Sequence, residues 1–246
     1  MRNILVLLAL MMLLPFALLS ESSKEEIQPG EYIREGGSGF LTIKIGHNGK
    51  KTFSILSVGS NGHTCEIEDE VINNNNKAII QESSSESNEP ILPCVITFSL
   101  KSQKIQVTSE ECGGYCGARA QIDGLYIKSA PGCKDSEIDS SRSQFKKLYD
   151  KKDYANARLQ LEPILKNCAK TISWVKENWI RSDLSITQYK LGDWDGCLKT
   201  LQPFEEDIVK KDDDILLPPF ERELYLPIIK AVRANFQLCS KAKNKH

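Results

Sequence analysis

Residues 111–120, ECGGYCGARA, set Cys112 and Cys116 four positions apart among three glycines and one arginine. Two thiols so placed could form a redox pair, clip a metal ion or staple the chain. A thioredoxin-type redox pair has two intervening residues and a helix N-terminus that lowers the thiol pKa. Here three residues intervene, and glycines dominate them. A zinc site needs further ligands at matching spacing, and His63, the nearest histidine in sequence, has no companion. A structural disulfide is the reading that remains. His63 itself follows Asn61 and Gly62 and reads as a turn residue. The chain has three histidines, one of them His246, and no Gly-x-Ser-x-Gly elbow, His-Glu-x-x-His pair or phosphate-cradling glycine loop. No carboxylate pair stands apart from a solvated face. These residues argue against an enzyme, and they call for no cofactor.

The thiol reading depends on compartment. The chain opens MRNILVLLALMMLLPFALLSESS, with Arg2 followed by an apolar run that Pro15 interrupts. That run is shorter than the roughly 20 residues of a spanning helix, and polar residues follow it at once, so residues 1–20 read as a signal peptide. The rest of the chain has no apolar stretch long enough to span a membrane. The formal charge is −1, and Arg2 leaves with the signal, so no single-sign field would attract nucleic acid or anionic lipid. We therefore expect an exported protein, periplasmic or extracellular, with a protein or peptide partner.

All eight cysteines, Cys65, Cys94, Cys112, Cys116, Cys133, Cys168, Cys197 and Cys239, follow the signal. An even count in an exported chain favours disulfides, although eight cysteines allow 105 connectivities. A boundary just before Cys133 leaves four cysteines on each side, and each half can then close its own bridges. The expected set is Cys65 with Cys94, Cys112 with Cys116, Cys133 with Cys168, and Cys197 with Cys239.

The elements that must position these sulfurs fall into two halves with different periods. Over 29–130, short alternating runs such as GFLTIKIG and CVITFSL place Leu41, Ile43 and Ile45, and likewise Ile96, Phe98 and Leu100, on one face. This is the period of half-buried strands. HNGK, SNG, NNNN and SSSESNEP supply turns. Eight short strands argue for a small antiparallel β-barrel. Gly30 with Tyr32 and Gly124 with Tyr126 mark first and last strands that could pair. Residues 131–141 read as a linker. Over 142–242 the period is helical, with Phe145, Leu148, Ala157, Leu161 and Ile164 at helical spacing on either side of a polar break at DKKD. Asp153-Tyr154 and Asp193-Trp194 recur 40 residues apart, each followed by a small residue, Ala157 or Cys197, and then by Pro163 or Pro203. The fold class is thus α+β, a barrel followed by helical hairpins.

The second half resembles a short tetratricopeptide array, in which a turn of the form GDY precedes a small residue where two helices touch. That resemblance implies a concave surface for a peptide or partner segment, presenting Lys146, Tyr149, Trp179, Ile186 and Tyr189. The first half, through NGHTC, CVITF and CGGYCGARAQIDGLY, resembles a small β domain of bacterial periplasmic proteins often found beside lysozyme-inhibitor-like modules. The Ser-Gly-x-x-Tyr loop by which several such inhibitors enter the lysozyme cleft is absent here. The expected function is an exported, non-enzymatic binding or adaptor protein. The alternative is an inhibitor of a cell-wall hydrolase that would offer SVGSNGHT or GGSG to a cleft.

Overall fold

A computed structural model describes residues 26–46, 48–81 and 92–245; residues 1–20, expected to be a signal peptide, and the loop SSSESNEP lie outside the described residues. The strands are β1 (Gly30–Arg34), β2 (Gly39–Ile45), β3 (Lys51–Val58), β4 (Thr64–Ile72), β5 (Lys77–Ile80), β6 (Cys94–Lys101), β7 (Lys104–Glu110) and β8 (Gly124–Lys128). They form one antiparallel sheet in the order β4-β3-β2-β1-β8-β7-β6-β5, curled into a nearly closed barrel. Alternation explains its core: Leu41 pairs with Ile55, Ile43 with Phe53, and Phe98 with Val107, and all six are buried. Phe53 meets Phe98 edge to face with ring centroids 4.9 Å apart, the geometry that the ring quadrupoles favour. Ile45 departs from the expected pattern, being mostly exposed where β2 ends at the turn.

The matching ends do pair: β1 lies beside β8, with Ile33 opposite Ile127. Both tyrosines turn back on their own strand. The Tyr32 hydroxyl donates to the Gln28 carbonyl at 2.7 Å and the Tyr126 hydroxyl to the Ile122 carbonyl at 2.9 Å. Each is a tyrosine corner, in which one hydroxyl satisfies a carbonyl where the chain bends into a strand.

The seam of the barrel lies between β4 and β5. At its lower end the NNNN tip closes it, with the Asn73 N–H donating to the Lys77 carbonyl at 2.8 Å and the Asn73 side chain accepting from Asn75 and Lys77. Above the tip no strand ladder joins the two edges among the described residues. The upper end is closed by sulfur. Cys65 on β4 is bonded to Cys116, and Cys94 at the start of β6 to Cys112. The expected pairs Cys65 with Cys94 and Cys112 with Cys116 are therefore corrected. The physical reason is that Cys112 leaves β7 beside β6, and the short turn Gly113–Tyr115 then carries the chain across the gap. There Cys116 bridges to Cys65, and the Gly117 N–H donates to the Thr64 carbonyl at 2.8 Å. CGGYC is a strut from the start of β6 to the edge strand β4 rather than a closed loop.

The helices are α1 (Asp135–Asp150), α2 (Tyr154–Asn167), α3 (Trp174–Lys190), α4 (Trp194–Leu201), the single turn α5 (Glu205–Ile208) and α6 (Pro219–Lys243). α1 starts inside the stretch 131–141 that composition marks as a linker. The Glu137 carboxylate accepts from the Lys134 backbone N–H at 3.0 Å, and Ile138 is buried, so capping and burial both extend the helix to Asp135. α1 with α2 and α3 with α4 form the two expected hairpins. In each turn the aspartate caps the second helix: Asp153 accepts from the Asn156 N–H and Asp193 from the Gly196 N–H. The residue before it is left-handed, Gly192 at φ 76° and Lys152 at φ 61°. Ala157 and Cys197 are fully buried at the hairpin contacts. α6 closes the array against α3 and α4. The Asn235 side-chain amide donates to the Ser182 carbonyl at 3.0 Å and to the Ser185 hydroxyl at 3.1 Å, and Cys197 is bonded to Cys239. Cys133 is bonded to Cys168, as expected, tying the segment after β8 to the end of α2. Every described cysteine is oxidised, and among the described residues no helix is long and apolar enough to cross a membrane.

Candidate functional site

Two barrel loops meet the helices. In the β1–β2 loop the Gly36 N–H donates to the Lys170 carbonyl at 2.9 Å. Gly37, at φ 73°, approaches so closely that a Cβ would lie 2.3 Å from the Ser173 nitrogen, which only glycine permits. In the β3–β4 loop the Asn61 N–H donates to Glu221 Oε1 at 2.6 Å, and the Phe220 N–H donates back to Asn61 Oδ1 at 3.3 Å. The Phe220 ring covers Gly62. His63 closes this loop through its carbonyl, which accepts from the Gly59 N–H at 2.7 Å. The loops SVGSNGHT and GGSG, which a hydrolase inhibitor would offer to its target, are thus engaged by the protein's own helical module, the first by the start of α6 and the second by the connection between α2 and α3.

Beside this docking surface lies a cleft of about 630 Å³ walled by Trp174, Ile215, Leu216, Leu217, Tyr225, Asp207, Lys210, Asp214 and Glu221. It adjoins a second recess of about 570 Å³ that reaches the barrel at Arg34, Val58–Ser60 and Ala118–Gln121 and shares Trp174 and Glu221 with the first. Trp174 is set by helix chemistry: Ser173 caps α3 by accepting from the Lys176 N–H, which fixes the indole at the first helical position. The floor is held by arginines of α6. Arg233 donates to the Asp207 and Lys210 carbonyls, at 3.1 and 2.6 Å, and Arg222 to the Asp212 carbonyl at 2.9 Å. The acidic stretch 205–214 is thereby folded onto the helix.

The carboxylates of the cleft differ in their surroundings. Asp207 accepts from the Tyr225 hydroxyl at 2.7 Å and pairs with Lys210 at 2.6 Å. Burial works against its ionisation, yet the Lys210 ammonium, the Tyr225 hydroxyl and the Arg233 guanidinium together hold its carboxyl below the ordinary value. The Tyr225 phenol is pushed well up by burial and by the Asp207 charge. Asp214 has no ion-pair partner among the described residues. Glu221 uses Oε1 for Asn61, while its buried Oε2 has no hydrogen-bond partner among them. The apolar side is open: Leu216 is 92% exposed, Phe220 43% and Trp174 38%.

The residues expected to line the helical groove are distributed otherwise. Lys146 is exposed on α1. Tyr149 is half-buried against the core of α1 and α2, touching Phe145 and Tyr154 with ring centroids 5.6 and 5.2 Å away. Trp179 and Tyr189 are half-buried against the core formed with α4 and α6, and Ile186 is half-buried on α3. α1 and α3 are held together by Arg142 with Asp183 at 2.9 Å and by Lys176 with Asp135 and Asp139, each at 2.8 Å. Burial raises the Asp183 carboxyl, with Arg142 and Lys146 opposing. The structure therefore gathers Lys146 and Tyr149 near Asp183 and directs the other aromatics into packing. Sequence reasoning missed Trp174, Glu221 and Tyr225. A signal for the cleft was present in DDDILLPPFERELY, where Leu216 and Leu217 sit in a proline-bounded stretch that fits neither period. No protein-family model, curated protein or solved structure matches this chain.

Proposed function

We propose that this is an exported, non-enzymatic binding protein whose helical module holds a polypeptide partner, with the cleft beside the docked barrel as its principal contact. The observation that carries the reading is the exposed apolar lining of Trp174, Leu216 and Leu217 in a concave site bordered by both modules. Recognition sites combine such apolar anchors with a few placed polar groups. Export is supported by four disulfides without a free described cysteine, the state of proteins kept from the reducing cytosol. The strand motifs that resemble bacterial periplasmic domains favour the periplasm. The α1–α3 groove contributes the exposed Lys146 as a secondary contact.

A photo-crosslinking residue at position 216 tests this in the producing cell. The expected result is a discrete adduct with a polypeptide, weakened when Trp174 is also changed to Ala. The same residue at position 159, exposed on α2 away from the cleft, should give none. Absence of an adduct at 216, or equal adducts at 216 and 159, would refute the reading.

A further inference from the structure

We infer that the cleft takes a basic side chain, the ammonium or guanidinium of a lysine or arginine in the partner, seated beside Trp174 and Tyr225 and facing Glu221 and Asp214. The inference deepens the proposed function and rests on it. Three features of the wall select this occupant. The Trp174 indole, 38% exposed, leans on the buried Tyr225 ring with centroids 6.1 Å apart and planes inclined at 59°, and an open aromatic face attracts cations. Among the charged lining residues, Asp207 is neutralised by Lys210 at 2.6 Å, whereas neither Asp214 nor Glu221 has an ion-pair partner among the described residues. The remaining wall, Ile215, Leu216 and Leu217, is aliphatic.

Alternative occupants fail on the same features. An acidic side chain would meet the carboxylates of Glu221 and Asp214, neither of which has an ion-pair partner among the described residues. A purely apolar side chain would cover Leu216 and Leu217, but it would exclude water from Glu221 and Asp214 without supplying a donor; Glu221 Oε2 already lacks one among the described residues, and a buried acceptor without a partner is costly. Lysine and arginine answer both needs, because a long aliphatic stem lies along apolar surface while the head carries charge and donors. Arginine is the better fit, since a planar guanidinium can stack on the indole and still donate to a carboxylate.

The test uses the full processed chain with its disulfides intact. Two labelled peptides of alternating leucine and alanine are compared, one with a central arginine and one with citrulline, the uncharged isostere. Binding is read by fluorescence anisotropy and by the indole N–H resonance of Trp174, assigned through Trp174→Phe. The arginine peptide should bind about tenfold to a hundredfold more tightly, as charge-assisted hydrogen bonds imply, and should shift that resonance. Glu221→Gln should remove most of the difference, because glutamine still accepts from the Asn61 N–H. Asp214→Asn lies away from that contact and should remove part of it, so a general loss of docking would not mimic the result. Free arginine should compete only weakly; if it bound as tightly as the peptide, a small-molecule ligand would replace the polypeptide. Equal affinity for the arginine and citrulline peptides would overturn the charge assignment and leave the cleft as a binding site. Binding of neither peptide, together with no adduct at position 216, would overturn both readings.

Discussion

Replacing Cys65 and Cys116 together by alanine should open the barrel at its seam and leave the helical module as it was. The bridge spans 51 residues, but Cys94–Cys112 already closes 18 of them. In the chain-entropy model the effective loop of about 33 residues is worth about 4 kcal/mol. Loss of the Cys65 sulfur, fully buried in the barrel core, adds to this. The three tryptophans, Trp174, Trp179 and Trp194, all lie in the helical module, so their fluorescence follows the unfolding of that module, with Trp174, which lines the recess shared with the barrel, also sensing docking. Amide hydrogen exchange of peptides from β4 and β6 reports the barrel. With each 1.4 kcal/mol worth a factor of ten, β4 exchange should accelerate about a thousandfold in the double variant. The urea midpoint from tryptophan fluorescence should barely move. An acceleration under about tenfold would show that the strut does not close the seam, and an equal response of both probes would show that the modules do not unfold separately. Non-reducing peptide mapping of the unmodified protein must also yield Cys65 joined to Cys116.

Lys152→Gly should stabilise the α1–α2 hairpin by about 1 kcal/mol, since Lys152 holds a left-handed φ of 61° that costs a side-chain-bearing residue about that much; a higher urea midpoint by tryptophan fluorescence checks it. Gly37→Ala should destabilise module docking by about 1–3 kcal/mol, because the added Cβ meets the Ser173 backbone at 2.3 Å; faster exchange of the Gly36 amide with unchanged β3 exchange is the expected signature. Asp207→Asn should lower stability at neutral pH. Its folded carboxyl ionises below the ordinary value of 3.8, so the stabilisation is present above that pH and is lost as acid protonates the folded carboxylate. Thermal unfolding of the two proteins should therefore converge as the pH falls below 3.8.

What the sequence revealed was what local periodicity and chemistry determine. Alternation in GFLTIKIG and CVITFSL marked strands whose inward faces form the barrel core, and the Gly-x-Tyr pairs marked the strands that meet. The repeated Asp-aromatic pairs marked helix starts because an aspartate at that position caps the backbone. Cysteine parity separated the halves because each module closes its own bridges. The partners of Cys112 and Cys116 were hidden because a staple across a seam depends on which strands end up at the edges, and no local pattern carries that. Trp179 and Tyr189, read from the repeat as groove residues, are half-buried against a core that α6 completes, and α6 lies beyond the repeat that suggested the groove. The cleft was hidden for a related reason: Arg34, residues 58–60, residues 118–121, Trp174 and residues 207–225 meet only once both loops have docked.

The reciprocal hydrogen bonds between Asn61 and the first turn of α6 place a barrel residue in direct contact with a carboxylate that also lines the cleft. Occupancy and assembly are consequently two readings of one equilibrium. A guest that engages Glu221 shares a carboxylate with the joint between the halves, and by thermodynamic reciprocity whatever factor the guest changes docking by, docking changes affinity for the guest by the same factor. A substitution in a strand hairpin some 160 residues away in the chain, touching no guest at all, can thus tune recognition.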